Sequence, residues 1–198
     1  MVLAIHNIFT AYGFWLPNDP RGSWSDYVRD WELFPFGPAT KVETRGSIAH
    51  VPHNRDHRLA AKAALRYPPV HFSGEQALAV ANGFKQAVDR SGFVIHACSI
   101  LPEHVHMVVK RHRLDDRQVM NQFKGEASKS LEGAGLHPFR EWRLPSGRRH
   151  TAWTQKGWAV FLNSIEDIHR AVQYVERNPI KEGRPPQRWS LIKSYQMY

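Results

Sequence analysis

The sequence predicts an α+β fold: a ferredoxin-like antiparallel sheet with helices packed on one face. Three observations carry this expectation. The runs FVIHACSI (93–100) and HVHMVVK (104–110) are separated only by Leu-Pro-Glu, a spacing that reads as a β-hairpin. Amphipathic helical segments precede and follow that pair. The resulting order, β, insertion, α, ββ, α, β, α, is that of an antiparallel sheet carrying its helices on a common side.

Each element has a local reason. VLAIHNIFTAYGF (2–14) mixes β-branched and aromatic residues with polar ones and reads as a first strand. From Trp15 to about Pro52 the chain is dense in Pro, Gly, Asp and Trp and holds no period for long. An irregular segment of that length inside a compact domain is functional or disordered, and Trp15, Trp24, Tyr27, Trp31, Phe34 and Phe36 argue for order, so 15–52 is expected to be an ordered insertion. NRDHRLAAKAALR (54–66) is a short Ala-rich helix that stops before Pro68 and Pro69. Ser73 and Gln76 form a capping box for the next helix, whose stripe of Ala77, Val80, Ala81, Phe84 and Val88 ends at Gly92. After the hairpin, a helix over about 115–132 places Val119, Phe123 and Ala127 on one side and is terminated by Gly133 and Gly135. HPFREWRLPSGRRH (137–150) reads as a mobile basic loop. GWAVFLN (157–163) is a short strand, and Ser164 starts a last helix with Glu166 and Asp167 in its first turn and Pro179 as its close. About 184–198 is a C-terminal tail.

At 198 residues the length favours one main domain spanning 1–198. Hydrophobic content of 42% excludes a disordered chain, and no apolar run reaches the roughly 18 residues needed to span a bilayer. The opening Met-Val-Leu-Ala-Ile-His-Asn has no basic region followed by a long apolar stretch, so no secretory signal and a cytoplasmic location are expected. Cys98 alone permits neither an internal disulfide nor a cysteine-rich zinc module, so any metal needs nitrogen and oxygen ligands.

The net charge of +9 is concentrated: residues 1–103 carry 10 Lys/Arg against 9 Asp/Glu, and residues 104–198 carry 17 against 9. The C-terminal half is therefore the candidate polyanion-binding surface. Seven Trp interleaved with Arg suit unstacked bases better than a duplex, although several Trp must serve the core.

His104 and His106 lie two apart on a strand, so both imidazoles leave the same face and can grip one ion. In a chain with 12 His such a pair arises readily by chance. The last helix supplies company. Ile165, Ile168, Val172 and Val175 define its apolar stripe, Tyr174 falls off that stripe, and Asn178 lies one turn beyond on the same face as Tyr174. An amide oxygen there can complete a metal site beside the phenol.

With these residues in view, the sequence resembles a known family. LPEHVHMVV is similar to the HUH motif, His–hydrophobic–His, of single-tyrosine transposases, and YVERNPIKEG to the catalytic-tyrosine helix of their REP-associated branch. QFKGEASKSL resembles the helix after the HUH strand and WTQKGWAVFL the strand leading into the tyrosine helix, so the likeness covers residues 2–14 and about 70–183. Residues 15–52 have no counterpart in the minimal pattern, and Asn178 stands where insertion-sequence members carry Gln.

The resemblance implies an HUH-endonuclease-type fold and a DNA transposase or domesticated relative. It would bind single-stranded or hairpin DNA, and it would cleave and rejoin the strand through a 5′-phosphotyrosine. Tyr174 would be the nucleophile and His104, His106 and Asn178 the ligands of Mg²⁺ or Mn²⁺. A homodimer with composite sites, no membrane, and a cytoplasmic, nucleoid-associated location in a prokaryotic cell are the matching expectations. DNA contacts are expected from Arg117, Lys124 and Lys129 of the 115–132 helix and from Arg143, Arg148 and Arg149 of the loop. Arg21, Trp24 and Arg29 of the insertion either clamp a hairpin end or belong to a lid. The competing readings are a non-catalytic nucleic-acid-binding derivative and a small zinc hydrolase with a water nucleophile.

Overall fold

Alternation along paired strands decides which side chains meet, and here it divides the sheet into two unlike faces. The computed structural model describes residues 1–14, 16, 17, 19, 31–38 and 53–195. Arg21, Trp24 and Arg29 lie outside the described residues. The chain forms two compact units, Met1–Tyr12 with His71–Tyr198, and Gly13–Val70.

The larger unit holds an antiparallel four-stranded sheet of β1 (Ala4–Ala11), β2 (Ile95–Ile100), β3 (His104–Lys110) and β4 (Trp153–Leu162), in the order β2-β3-β1-β4. The expected α+β class and hairpin are present. Register places His6 opposite Val108, Ile8 opposite His106 and Thr10 opposite His104, so these six side chains project to one face. Phe9 and its alternates project to the other. On that second face Phe9 meets Phe84 of α2 (Gly74–Ser91), with ring centroids 6.0 Å apart, and Phe84 meets Phe123 of α3 (Asp116–Gly133) at 5.4 Å.

The last helix, α4 (Ile165–Lys181), goes elsewhere. Its Ile168, Ala171 and Val175 bury against Ala4, Ala97, Val108 and Leu162, the side chains of the His6 face. The expectation of helices on one face therefore holds for α2 and α3 and fails for α4. The reason is visible in the strands. Ala4, Phe9, Val105, Met107 and Val108 are all fully buried, so the central strands are apolar on both sides and need cover on both.

Helix ends follow their local chemistry. Gln76 N–H donates to Ser73 Oγ at 3.2 Å while Ser73 N–H donates to Gln76 Oε1 at 2.9 Å, which is the expected capping box. Asp115 and Gln118 make a second one for α3. Pro179 does not close α4 as expected. Sitting in the last turn, it forfeits a single backbone bond, and the helix runs on to Lys181 before Gly183 turns left-handed at φ 68°. Asn178 thus stays helical.

The segment after α4 lies along the outer strand β2. Gln187 uses both ends of its amide there, accepting from Ile100 N–H at 2.8 Å and donating to Ile100 C=O at 2.7 Å. Lys193 N–H donates to Ile95 C=O at 2.8 Å. The expected tail, as far as residue 195, therefore covers one sheet edge.

The smaller unit contains a 3-10 turn (Trp31–Phe36) and α1 (Arg55–Ala63), capped by Asn54, whose side chain accepts from His57 N–H at 2.9 Å. Leu16, Leu33 and Ala61 bury together with Phe36 and Leu65 against them.

Gly83 sets the closeness of α2 and α3. A Cβ there would lie 2.5 Å from both Ala127 Cα and Glu126 O, and neither is a flexible side-chain end. Gly83→Ala is expected to destabilise the larger unit by about 1–3 kcal/mol through overpacking, read as a lower midpoint in urea. An unchanged midpoint would show that the two helices do not need this contact.

Candidate active site

Two histidines of β3 and one of β1 converge under α4. His106 is 6% exposed and His6 is 8% exposed. His6 Nε2 lies 3.0 Å from His106 Nδ1, a hydrogen bond between strands adjacent in the sheet. The His104 and His106 rings stand 5.0 Å apart, as expected for neighbours two apart on one strand face. Burial holds the His6 pKa down at about 4. Burial first, then the proximity of His104 and His106's contact with His6, push His106 well below the usual imidazole range. Both rings are therefore neutral at physiological pH, the form in which imidazole ligates metals.

Tyr174 reaches this cluster from α4. Its ring centroid is 5.4 Å from that of His106 and 5.8 Å from that of His6. Lys181 Nζ sits 4.7 Å from the Tyr174 ring centre. Burial, and then the Glu182 carboxylate, raise the Tyr174 pKa above the ordinary phenol value. The same carboxylate lies 3.9 Å from His104 Nε2.

Asn178 is buried, and its Nδ2 has no hydrogen-bond partner. A buried amide without a partner costs roughly 1–3 kcal/mol. Rotation about the last side-chain torsion brings the amide oxygen to the same position, where it can accept a cation. Among the described residues no group of three His, Cys, Asp or Glu side chains is arranged to hold a metal ion. A two-imidazole site therefore needs a third donor of another kind, and α4 offers this amide. His104, His106 and Asn178 suit a hard divalent ion in chemistry, offering two imidazole nitrogens and one amide oxygen.

A family model described as IS200-like transposase matches residues 64–178, more than half of the chain. The chain belongs to the IS200-like transposase family. The matched segment includes His104, His106 and Tyr174 and ends on Asn178, while His6 and all of β1 lie outside it. No curated protein matches. One solved structure, described as a REP-associated tyrosine transposase bound to a REP hairpin, is 21% identical with a TM-score of 0.44, the alignment covering 60% of this chain and 64% of that one.

The cations expected to meet DNA in this transposase-family chain divide into two kinds. Arg117, Arg143 and Arg148 are exposed, with Arg143 Nη1 donating to Gly147 C=O at 3.2 Å. Lys129 is exposed and paired with Glu126 at 2.9 Å. Arg149 braces its own loop, donating to Glu132 at 2.6 Å and to the carbonyls of Arg140 and Phe139. Lys124 does not reach the surface. It is 7% exposed, and its Nζ donates to the carbonyls of Thr154 and Lys156 at 2.9 and 3.0 Å, so it ties α3 to β4 and leaves the DNA-facing set. The loop itself closes as a small hairpin, with an Arg143–Arg149 bridge and Gly147 left-handed at φ 77°.

Sequence reasoning missed two residues. His6 carries no spacing signal, being a lone histidine in a strand, and only the register of β1 against β3 brings it to His106. Trp158 of β4 lies opposite Ile8, in line with His106 on the same face, and is half-buried. None of the described helices is long and apolar enough to cross a membrane.

Burial lowers the Lys124 pKa from 10.5 to about 8. Above pH 8 the unfolded chain holds this proton more firmly than the folded one, so this residue's contribution makes stability rise with pH. Urea denaturation at pH 8 and pH 9.5 is expected to show a rise in wild type that is absent in Lys124→Met. A parallel pH response in both proteins would remove Lys124 as its source.

Proposed function

We propose that this transposase-family protein nicks and rejoins single-stranded or hairpin DNA, with Tyr174 as nucleophile and a divalent ion held by His104, His106 and Asn178. The observation that carries the reading is the approach of an off-stripe tyrosine to 5.4 Å from the ring of His106, which has His104 beside it, with the buried Asn178 amide, Nδ2 without a partner, one helical turn beyond the tyrosine. Mg²⁺ or Mn²⁺, when bound, would polarise the scissile phosphate and offset the charge that builds on it.

The chain's own groups define the rest. Tyr174 Oη attacks phosphorus and forms the new P–O bond, its proton passing to solvent. The P–O3′ bond breaks, and the leaving 3′ oxygen takes a proton to become a free hydroxyl. The phosphate stays on the 5′ side as a phosphotyrosine, so the bond energy is kept for rejoining by the reverse attack. Burial and Glu182 both oppose ionisation of Tyr174, so the reaction depends on a nearby cation, and Lys181, 4.7 Å from the ring centre, supplies one. Arg117 and Arg148, both exposed, would meet phosphates, and the indole of Trp158 would stack on an unpaired base.

Incubation of the protein with single-stranded hairpin oligonucleotides and Mn²⁺ is expected to give a covalent protein–DNA adduct, resolved by denaturing electrophoresis. Tyr174→Phe is expected to abolish the adduct while retaining DNA binding. Adduct formation by Tyr174→Phe at the wild-type level would refute the assignment. Arg148→Ala is expected to weaken binding across sequences and to lower the salt dependence by about one unit of slope, measured by fluorescence anisotropy, and an unchanged slope would take Arg148 off the DNA path.

A further inference from the structure

The contact between His6 and His106 has a consequence for which ring nitrogen of His106 is available. His106 Nδ1 is 3.0 Å from His6 Nε2, and a hydrogen bond between two neutral imidazoles requires one of these two nitrogens to carry the hydrogen and the other to accept it. If His6 donates, His106 spends its lone pair on Nδ1 and presents an N–H at Nε2, which cannot ligate a cation. If His106 donates, its Nε2 keeps a lone pair. Only the second arrangement lets His106 serve as a ligand.

We infer that His6 is the positioning residue for His106, accepting its Nδ1–H and so holding the ring in the form whose Nε2 faces the ion. The inference rests on the metal site proposed above. It concerns a residue on β1, outside the segment that matches the family model. His6 is not a third ligand, because its Nε2 is spent on His106. It works from behind, as a carboxylate or carbonyl does for many metal-bound histidines. Geometry supports the role. His6 and His106 sit on neighbouring strands one register step apart, since His6 opposes Val108 and Ile8 opposes His106. Their rings are 5.2 Å apart and tilted by 38°, and both side chains are buried. Tyr174 packs against both rings, so the orientation of the pair also sets the wall against which the phenol rests.

Two measurements separate this inference from the reading beneath it. In metal-free wild-type protein, long-range ¹⁵N–¹H correlation spectra are expected to show His106 protonated at Nδ1 and bare at Nε2. The opposite tautomer would overturn the inference whatever the metal result. Titration with Mn²⁺, followed by the electron paramagnetic resonance of the free ion, is then expected to show a 10–100-fold weaker site in His6→Phe. His6→Gln, whose side-chain oxygen can take the place of Nε2 as acceptor, is expected to recover most of the affinity. Equal Mn²⁺ affinity in wild type and a cooperatively melting His6→Phe would overturn the role of His6. Absence of Mn²⁺ binding in wild type would instead overturn the metal site itself, and the positioning role with it.

Discussion

The packing of α4 on the His6 face of the sheet is the constraint on which the site depends. Ile168 and Val175 are essentially fully buried there, each worth about 1.5–3 kcal/mol relative to exposure. That gain offsets the cost of enclosing His6 and His106 at the other end of the same face, where apolar side chains give way to imidazoles. A helix seated by one half of its stripe carries the other residues with it. Tyr174 arrives over His6 and His106, and Asn178 follows it one turn on, because both ride on a helix whose position Ile168, Ala171 and Val175 have already set.

The sheet contributes the second dimension. Strand alternation alone puts His104 and His106 on one face, and register alone adds His6 and Trp158 to it. None of these residues depends on a long loop for its placement. A site built on adjacent central strands and one packed helix is held more precisely than a site built on loops. The segment after α4 extends that support, since Gln187 and Lys193 fasten it to β2.

Much of this was legible in the residues. The hairpin followed from a three-residue break between two β-rich runs, the cap of α2 from Ser73 and Gln76, and the pairing of Tyr174 with Asn178 from a spacing of four. Three things were not. An amphipathic stripe says that a helix packs, and it does not say on which face of a sheet, so α4 was expected on the side of α2 and α3. Lys124 reads as a solvated cation among the polar residues of its helix, but its long stem runs over Phe9 to carbonyls of β4, a tertiary contact that no local pattern encodes. His6 offers nothing by spacing and acquires its meaning only from a neighbour 100 residues away.

The most direct test of the site is crystallographic. Crystals of the protein grown with Mn²⁺, measured at the manganese absorption edge, are expected to give one strong anomalous peak bonded by His104 and His106, with the Asn178 amide oxygen turned toward it and Tyr174 alongside. A peak elsewhere in the larger unit, or an ion on the two histidines with Asn178 turned away and Tyr174 remote from it, would contradict the assembly of metal, amide and phenol into one centre.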